Sequence, residues 1–316
     1  MRQPGAPAAA RAEWATRRER GAAPLIRLMV WIVLRLGRPA SRGLLVPICL
    51  YFFLFSWKSR AASLAYLARA LARPPSALDR WRHYWCFAAC VLDRVLLLND
   101  RADLFEIRLH GEDAVLRQPG GCLLFGAHLG SFEVMRALAR RLPGVRASLA
   151  MYEDNARKTN AVFNAINPAL ALEIISLGKP GSMLAVRDRL ADGHVVGILA
   201  DRSLANLSLA NPNLANPSLG VERQVAIPFL GAPARFPVGP FRMAWVLRRP
   251  VLLMVGLYRG GNRYDIHFEL LAQPDCSGEA EMAPAIEAMM RRYVARLEQY
   301  CRGAPYNWFN FYPFWD

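Results

Sequence analysis

The stretch Cys122-Leu-Leu-Phe-Gly-Ala-His128-Leu-Gly-Ser-Phe-Glu133 sets an imidazole at the end of an apolar run and a carboxylate five residues later. The run from Cys122 to Ala127 is too short for a helix and reads as a buried β-strand. Gly130 and Ser131 offer a turn and an N-cap, and the residues from Phe132 onward read as a helix. That puts His128 at the C-terminal end of a strand and Glu133 in the first turn of the next helix, at the edge of the sheet where α/β folds bind ligands. A carboxylate close to an imidazole fixes its tautomer and raises its basicity. Such a pair suits the removal of a proton from a hydroxyl that attacks a carbonyl. The same residues have a plain structural reading beside this one. Histidines at strand ends are often simply hydrogen-bonded, and the helix dipole favours an acid in a first turn.

The elements that would hold this pair follow from hydrophobic period and turn residues. Leu104–Leu109, Cys122–Ala127, Val145–Met151, Leu172–Leu177 and Val195–Leu199 read as strands, and 132–141, 156–166 and 181–191 as helices between them. Strands alternating with helices predict an α/β fold with a mostly parallel central sheet flanked by helices. Val251–Tyr258, Gly260-Gly261 and Tyr264–Leu271 form a hairpin pattern, and 279–301 a last amphipathic helix. Residues 1–22 read as a mobile basic N-terminus, 23–100 as an apolar helical region, and 101–316 as the α/β domain. Within that domain, Leu204-Ala-Asn206 recurs at Leu209 and Leu214. Its Asn, Pro and Ser content makes 203–219 a low-complexity loop insertion, and three copies are too few to stack a solenoid.

The chain holds 40 basic and 25 acidic residues, and residues 1–60 carry eleven of the basic ones against two acidic. Arginines there flank apolar stretches, without the reader motif that nucleic acid would require. Gly43–Trp57 is uncharged and contains Pro47. At fifteen residues it falls short of the roughly 20 that cross a bilayer directly. An in-plane or re-entrant membrane anchor on an anionic surface fits better. The six cysteines show no CxxC pair, and His110, His194 and His267 show no ligand spacing, so neither disulfides nor a metal is expected.

The order of basic apolar N-terminus, FGAHLGSFE, Val196–Arg202 (VGILADR) and Ile227–Ala244 (IPFLGAPARFPVGPFRMA) resembles the bacterial lipid A biosynthesis acyltransferases of the lysophospholipid acyltransferase superfamily, over roughly residues 10–316. The most specific part is a histidine, four intervening residues and an acid on a strand-to-helix turn. The resemblance implies transfer of an acyl chain from an acyl-carrier-protein or CoA thioester to a hydroxyl of a membrane lipid or glycolipid. It also implies the cytoplasmic face of a bacterial inner membrane and no cofactor. His128 would be the general base and Glu133 its orienting partner, with Asp201 and Arg202 in the family's acid-containing segment after a strand.

Other candidates follow from position. Backbone N–H groups from Leu129 to Ser131, Gly130 included, are candidate oxyanion donors. Arg202 would assist an oxyanion, contact a phosphate, or simply pair with Asp201. Tyr152 and Asn155 follow a strand and would line the site. Arg223, Arg235 and Arg242 flank a Pro-Phe-Leu-Gly loop, either as binders of acidic headgroups or carrier protein or as a solvated rim. The aromatic end Tyr306–Trp315 reads as an acyl-chain wall, an interfacial belt or a tail packed over the core. Two other functions use the same residues: a membrane-bound acyl thioesterase acting through water, and a non-catalytic binder of lipid or carrier protein.

Overall fold

A computed structural model describes residues 22–118, 120–131, 144–152, 174–177, 181–202, 223–273 and 282–315. Nine strands are described: β1 (Glu106–His110), β2 (Cys122–Gly126), β3 (Arg146–Tyr152), β4 (Ile174–Leu177), β5 (His194–Leu199), β6 (Gln224–Phe229), β7 (Ala232–Pro237), β8 (Val251–Tyr258) and β9 (Arg263–Ala272). Seven of them form one sheet in the order β1-β9-β8-β2-β5-β3-β4. Every neighbouring pair in it is parallel except the β8–β9 hairpin. The α/β expectation is met.

β2 lies at the centre, and its alternation explains why. Leu123 and Phe125 face one core while Cys122 and Leu124 face the other. A strand buried on both faces needs a continuous apolar sequence, which CLLF supplies. On the Leu123 side pack α2 (Trp57–Ala70), α6 (Gly239–Leu247) and α7 (Met282–Gly303), contributing Tyr66, Leu67, Phe241 and Tyr293. On the other side pack α1 (Ala22–Phe55) and α3 (Ala77–Leu98), contributing Val33, Leu45, Cys49, Leu92 and Leu96. The remaining described helices are the short α4 (Asp113–Leu116) and α5 (Ser182–Ala191), the latter covering β5 with Val186 and Leu190.

The N-terminal apolar region is helical and broken at Gly37, whose φ of 75° and ψ of 175° leave the helical range. Arg38, just past the break, makes a bidentate ion pair with the buried carboxylate of Asp93 on α3 at 2.7 and 2.8 Å, and the Tyr264 hydroxyl donates to the same carboxylate. The stretch after the break to Phe55 is about 27 Å long at 1.5 Å per residue. Within Leu28–Phe55 the helix is long and apolar enough to cross a membrane. Leu44, Ile48, Tyr51, Phe52 and Phe55 are exposed on it, as is Trp57 just beyond.

Two readings change. The Pro-Phe-Leu-Gly segment is not a loop but the end of β6 and the Leu230-Gly231 turn of the antiparallel β6–β7 hairpin. Leu230 and Gly231 both have positive φ there, as a two-residue primed turn requires. Leu230 is held in that conformation by its N–H donating to Glu298 at 2.6 Å. One proline in β6 and two in β7 hid the strand pattern. The helix α6, starting beside Pro240, was also missed. The predicted segments 132–141 and 156–166, the repeat at 203–219 and residues 1–21 lie outside the described residues.

Candidate active site at the end of β2

The adjacency of β2 and β5 builds the site. Gly126 pairs with Leu199, and the Ala200 N–H donates to the Gly126 carbonyl at 3.0 Å. Both strands therefore end side by side, and the next side chains out are His128 and Asp201, 73 residues apart in sequence. The Asp201 carboxylate is fully buried and accepts three hydrogen bonds from the described residues. They come from the His128 backbone N–H at 3.0 Å, His128 Nδ1 at 2.9 Å and Trp308 Nε1 at 3.2 Å. A carboxylate gathered by three donors stays ionised and can only accept. Nδ1 must therefore carry the proton, which leaves the lone pair of the ring on Nε2. The His128 side chain is 36% exposed.

Electrostatics fit a base. Burial acts first to lower the affinity of His128 for a proton, and the charges of Arg202 and Arg94 act the same way. Asp201 opposes them but does not overturn the net downward shift, so the imidazole is neutral at neutral pH. Burial would push the Asp201 carboxyl up. The neighbouring imidazole, its hydrogen bonds and the Arg202 charge outweigh that and hold it well below the usual carboxylate range.

The chain's aromatic end closes over this corner, so of the three sequence readings the structure shows a tail packed on the core. Trp308 is fully buried against Tyr66, Phe229 and Phe314. Leu129 bridges Trp308 in an antiparallel pair, the Phe309 N–H donates to the His128 carbonyl at 2.8 Å, and the Gly130 N–H donates to the Asn307 carbonyl at 2.7 Å. Asn307 in turn clasps the backbone of Tyr258 through both ends of its amide. The Ser131 N–H donates to the Gly256 carbonyl at 2.8 Å. The N–H groups of Gly130 and Ser131 are thus engaged within the fold, contrary to the sequence expectation that they hold an oxyanion. The real demand on Gly130 is contact. At φ 70° any Cβ would lie 1.9 Å from the Gly256 carbonyl oxygen.

Arg202 has the plain reading in part. Its guanidinium donates to the Phe309 carbonyl at 2.8 Å, lies over the Tyr312 ring and approaches Asp201 at 3.9 Å. Glu133 and Asn155 lie outside the described residues. Tyr152 ends β3 on the same sheet edge. Arg223 and Arg235 are exposed on the β6–β7 hairpin, and Arg242 is exposed on α6, rather than in the hydrogen-bond set of His128. The sequence reading did not anticipate the charge of Arg94 acting on His128, the bond from Trp308 to Asp201 or the assignment of Asp201 to Nδ1. Only the strand-end position of Asp201 signalled any of these.

Elsewhere, β1–β9 pairing stacks His110 on His267 at 4.5 Å, and with Asp265 their donor atoms lie within 4.8 Å of one another. Sequence spacing gave no sign of this group. Ring stacking and the 2.8 Å ion pair between Arg259 and Asp265 account for it. Among the described residues no disulfide occurs, and burial pushes the Cys86 and Cys122 thiols up to about 12, which makes them poor nucleophiles.

A neutral, partly exposed histidine at a strand end, hydrogen-bonded to a buried aspartate that an aromatic tail packs against, is an arrangement suited to acyl transfer. No curated protein matches the chain significantly. A family model described as bacterial lipid A biosynthesis acyltransferase matches residues 55–316, from the end of α1 through the whole sheet to the aromatic tail. The chain belongs to the bacterial lipid A biosynthesis acyltransferase family.

Proposed function

We propose that this protein moves an acyl chain from an acyl-carrier-protein or CoA thioester to a hydroxyl of a membrane lipid or glycolipid, with His128 as the general base. The observation that carries this reading is the bond from Nδ1 of His128 to the buried Asp201 carboxylate, on a ring that keeps a third of its surface open. Nε2 takes the proton of the acceptor hydroxyl as its oxygen attacks the thioester carbonyl. The tetrahedral intermediate then collapses, the C–S bond breaks, and the imidazolium returns its proton to the departing thiolate. Asp201 stabilises the imidazolium between these steps. Glu133, the acid of the family motif, is assigned as a second carboxylate serving the same charge.

Developing negative charge on the carbonyl oxygen needs fixed positive partners. Arg202, 14% exposed and 3.9 Å from Asp201, is the cation assigned to this task. Gly130, Ser131, Tyr152 and Asn155 would shape the acceptor pocket, and Arg223 and Arg235 would meet acidic headgroups or an acidic carrier at the rim. The exposed apolar side of α1, with Trp57 at its end, would seat the enzyme on the anionic cytoplasmic face of the inner membrane.

The deciding experiment is mass spectrometry of total lipid from cells making the intact protein or its His128→Ala variant at matched levels, paired with a reaction of purified enzyme on that lipid with carrier and CoA donors. An acyl-extended lipid that depends on His128 is expected, and its mass identifies the acceptor. Free fatty acid dependent on His128, with no lipid product, would instead establish a thioesterase.

A further inference from the structure

The bonds around Asp201 do not stop at His128. Trp308, which donates its indole N–H to Asp201, accepts at its own carbonyl from Nε2 of His83 on α3 at 2.8 Å. A carbonyl only accepts, so His83 carries its proton on Nε2, and its Nδ1 accepts from the Ser63 hydroxyl of α2 at 2.8 Å. Ser63, His83 and Trp308 are all fully buried. Burial lowers the pKa of His83 to about 4, so this imidazole stays neutral through the physiological range. Its ring stacks on Phe311 at 4.5 Å and lies beside Tyr66, which packs in turn on Trp308.

From this geometry we propose that Trp308 is a positioning residue of the active site: fixed by His83, it clamps Asp201 in the orientation that sets the tautomer of His128. The proposal rests on the reading of His128 as a base and adds to it how its orienting carboxylate is held. Asp201 has two oxygens and one rotatable bond beyond Cβ. Oδ1 meets the imidazole, and Oδ2 is pinned by Trp308 on one side and the His128 backbone on the other. Without the indole donor, one pin remains and the carboxylate can turn about its Cβ–Cγ bond. Nδ1 then loses its fixed acceptor, and the proton redistributes toward Nε2, the atom that must be unprotonated to act as base. The same chain makes the helices α2 and α3 part of the site's scaffold, because Ser63 and His83 set the position of the Trp308 backbone.

The test is Trp308→Phe in the full-length protein in detergent, alone and combined with Asp201→Asn. Phenylalanine keeps an aromatic ring against Tyr66 and Phe229 while removing the N–H. Two readouts are needed. The first is the ¹⁵N spectrum of the His128 side chain, assigned with a His128→Gln variant. It should show an Nε2–H tautomer in Trp308→Phe that the parent lacks. The second is kcat for acyl transfer, expected to fall roughly ten- to hundredfold, the range of one hydrogen bond to a charged group, with KM nearly unchanged. That loss should vanish in the Asp201→Asn background, since Trp308 acts through Asp201. Should Trp308→Phe fail to fold, His83→Phe breaks the same chain one link further out and is expected to give a smaller shift of the same kind. An unchanged tautomer, or an equal loss with and without Asp201, overturns the proposal and leaves Trp308 as packing alone. The tautomer readout needs no substrate, so it decides the role of Trp308 even where acyl transfer itself is not found, a result that sinks the proposed function separately.

Discussion

The end of β2 and the exposed side of α1 solve opposite problems. At the end of β2 a charged carboxylate is buried completely, and every donor around it is arranged to make that tolerable. Along α1 large apolar side chains such as Tyr51, Phe52 and Phe55 stand exposed among the described residues. Leaving a buried charge without partners costs several kcal/mol, while exposing apolar area costs about 25 cal/mol per Å². The first region therefore tolerates almost no substitution. The second is stable as it stands and gains free energy when an apolar medium covers it. In the proposed function the first serves chemistry and the second location, so substitutions in each should move different observables.

The largest expected effect is that of His128→Ala, which removes the proposed base and should lower kcat at least about 10²- to 10⁴-fold, measured on purified enzyme whose thermal unfolding matches the parent. Asp201→Asn keeps the shape of the side chain but loses the charge that holds Nδ1–H. A fall in kcat of about 10²-fold or more is expected, and a fall under threefold would shift the orienting role to Glu133. Phe52→Glu combined with Phe55→Glu should release the protein from vesicles containing anionic lipid by about tenfold or more in a flotation assay. Turnover of detergent-dispersed substrate should stay within about twofold; a matching loss of turnover would erase the distinction between the two regions.

The smallest effect is on the pH profile. With His128 as the proposed base, the active imidazole is the neutral one, so activity is expected to be lost as pH falls through the pKa of His128. That pKa is lowered from 6.5 by burial and by Arg202, so the acid limb of kcat/KM should have its midpoint below 6.5 and a flat region at neutral pH. Arg202→Gln removes a repelling charge and should raise the midpoint, whereas Asp201→Asn removes the attracting one and should lower it.

Local pattern carried much of the fold. The helix Ala77–Leu98 lies within the region 23–100 that the sequence marks as helical, and its start is sealed by a capping box between Ser76 and Asp79. The strand before His128 and the β8–β9 hairpin follow from nearest neighbours along the chain. The β6–β7 hairpin escaped because its strands carry Pro228, Pro233 and Pro237, allowed there since the pair forms a separate two-stranded sheet. In the site, His128 was legible because a strand end is a local feature. The bond from Asp201 to Nδ1 was not, because it depends on which strand lies beside β2.

Sequence alone determined that a histidine would stand at the C-terminal edge of a buried strand, that an acid would follow a second strand, and that an apolar, arginine-flanked helical region would precede the α/β part. Those facts are set by composition and period within a few residues. Only the tertiary structure decided that β5 lies against β2, that the aromatic tail turns back to bury Trp308, and that Asp201 rather than any nearer group meets Nδ1. Such choices are made by non-local strand pairing and by the need to give every buried polar atom a partner, and neither leaves a periodic trace in the residues on either side.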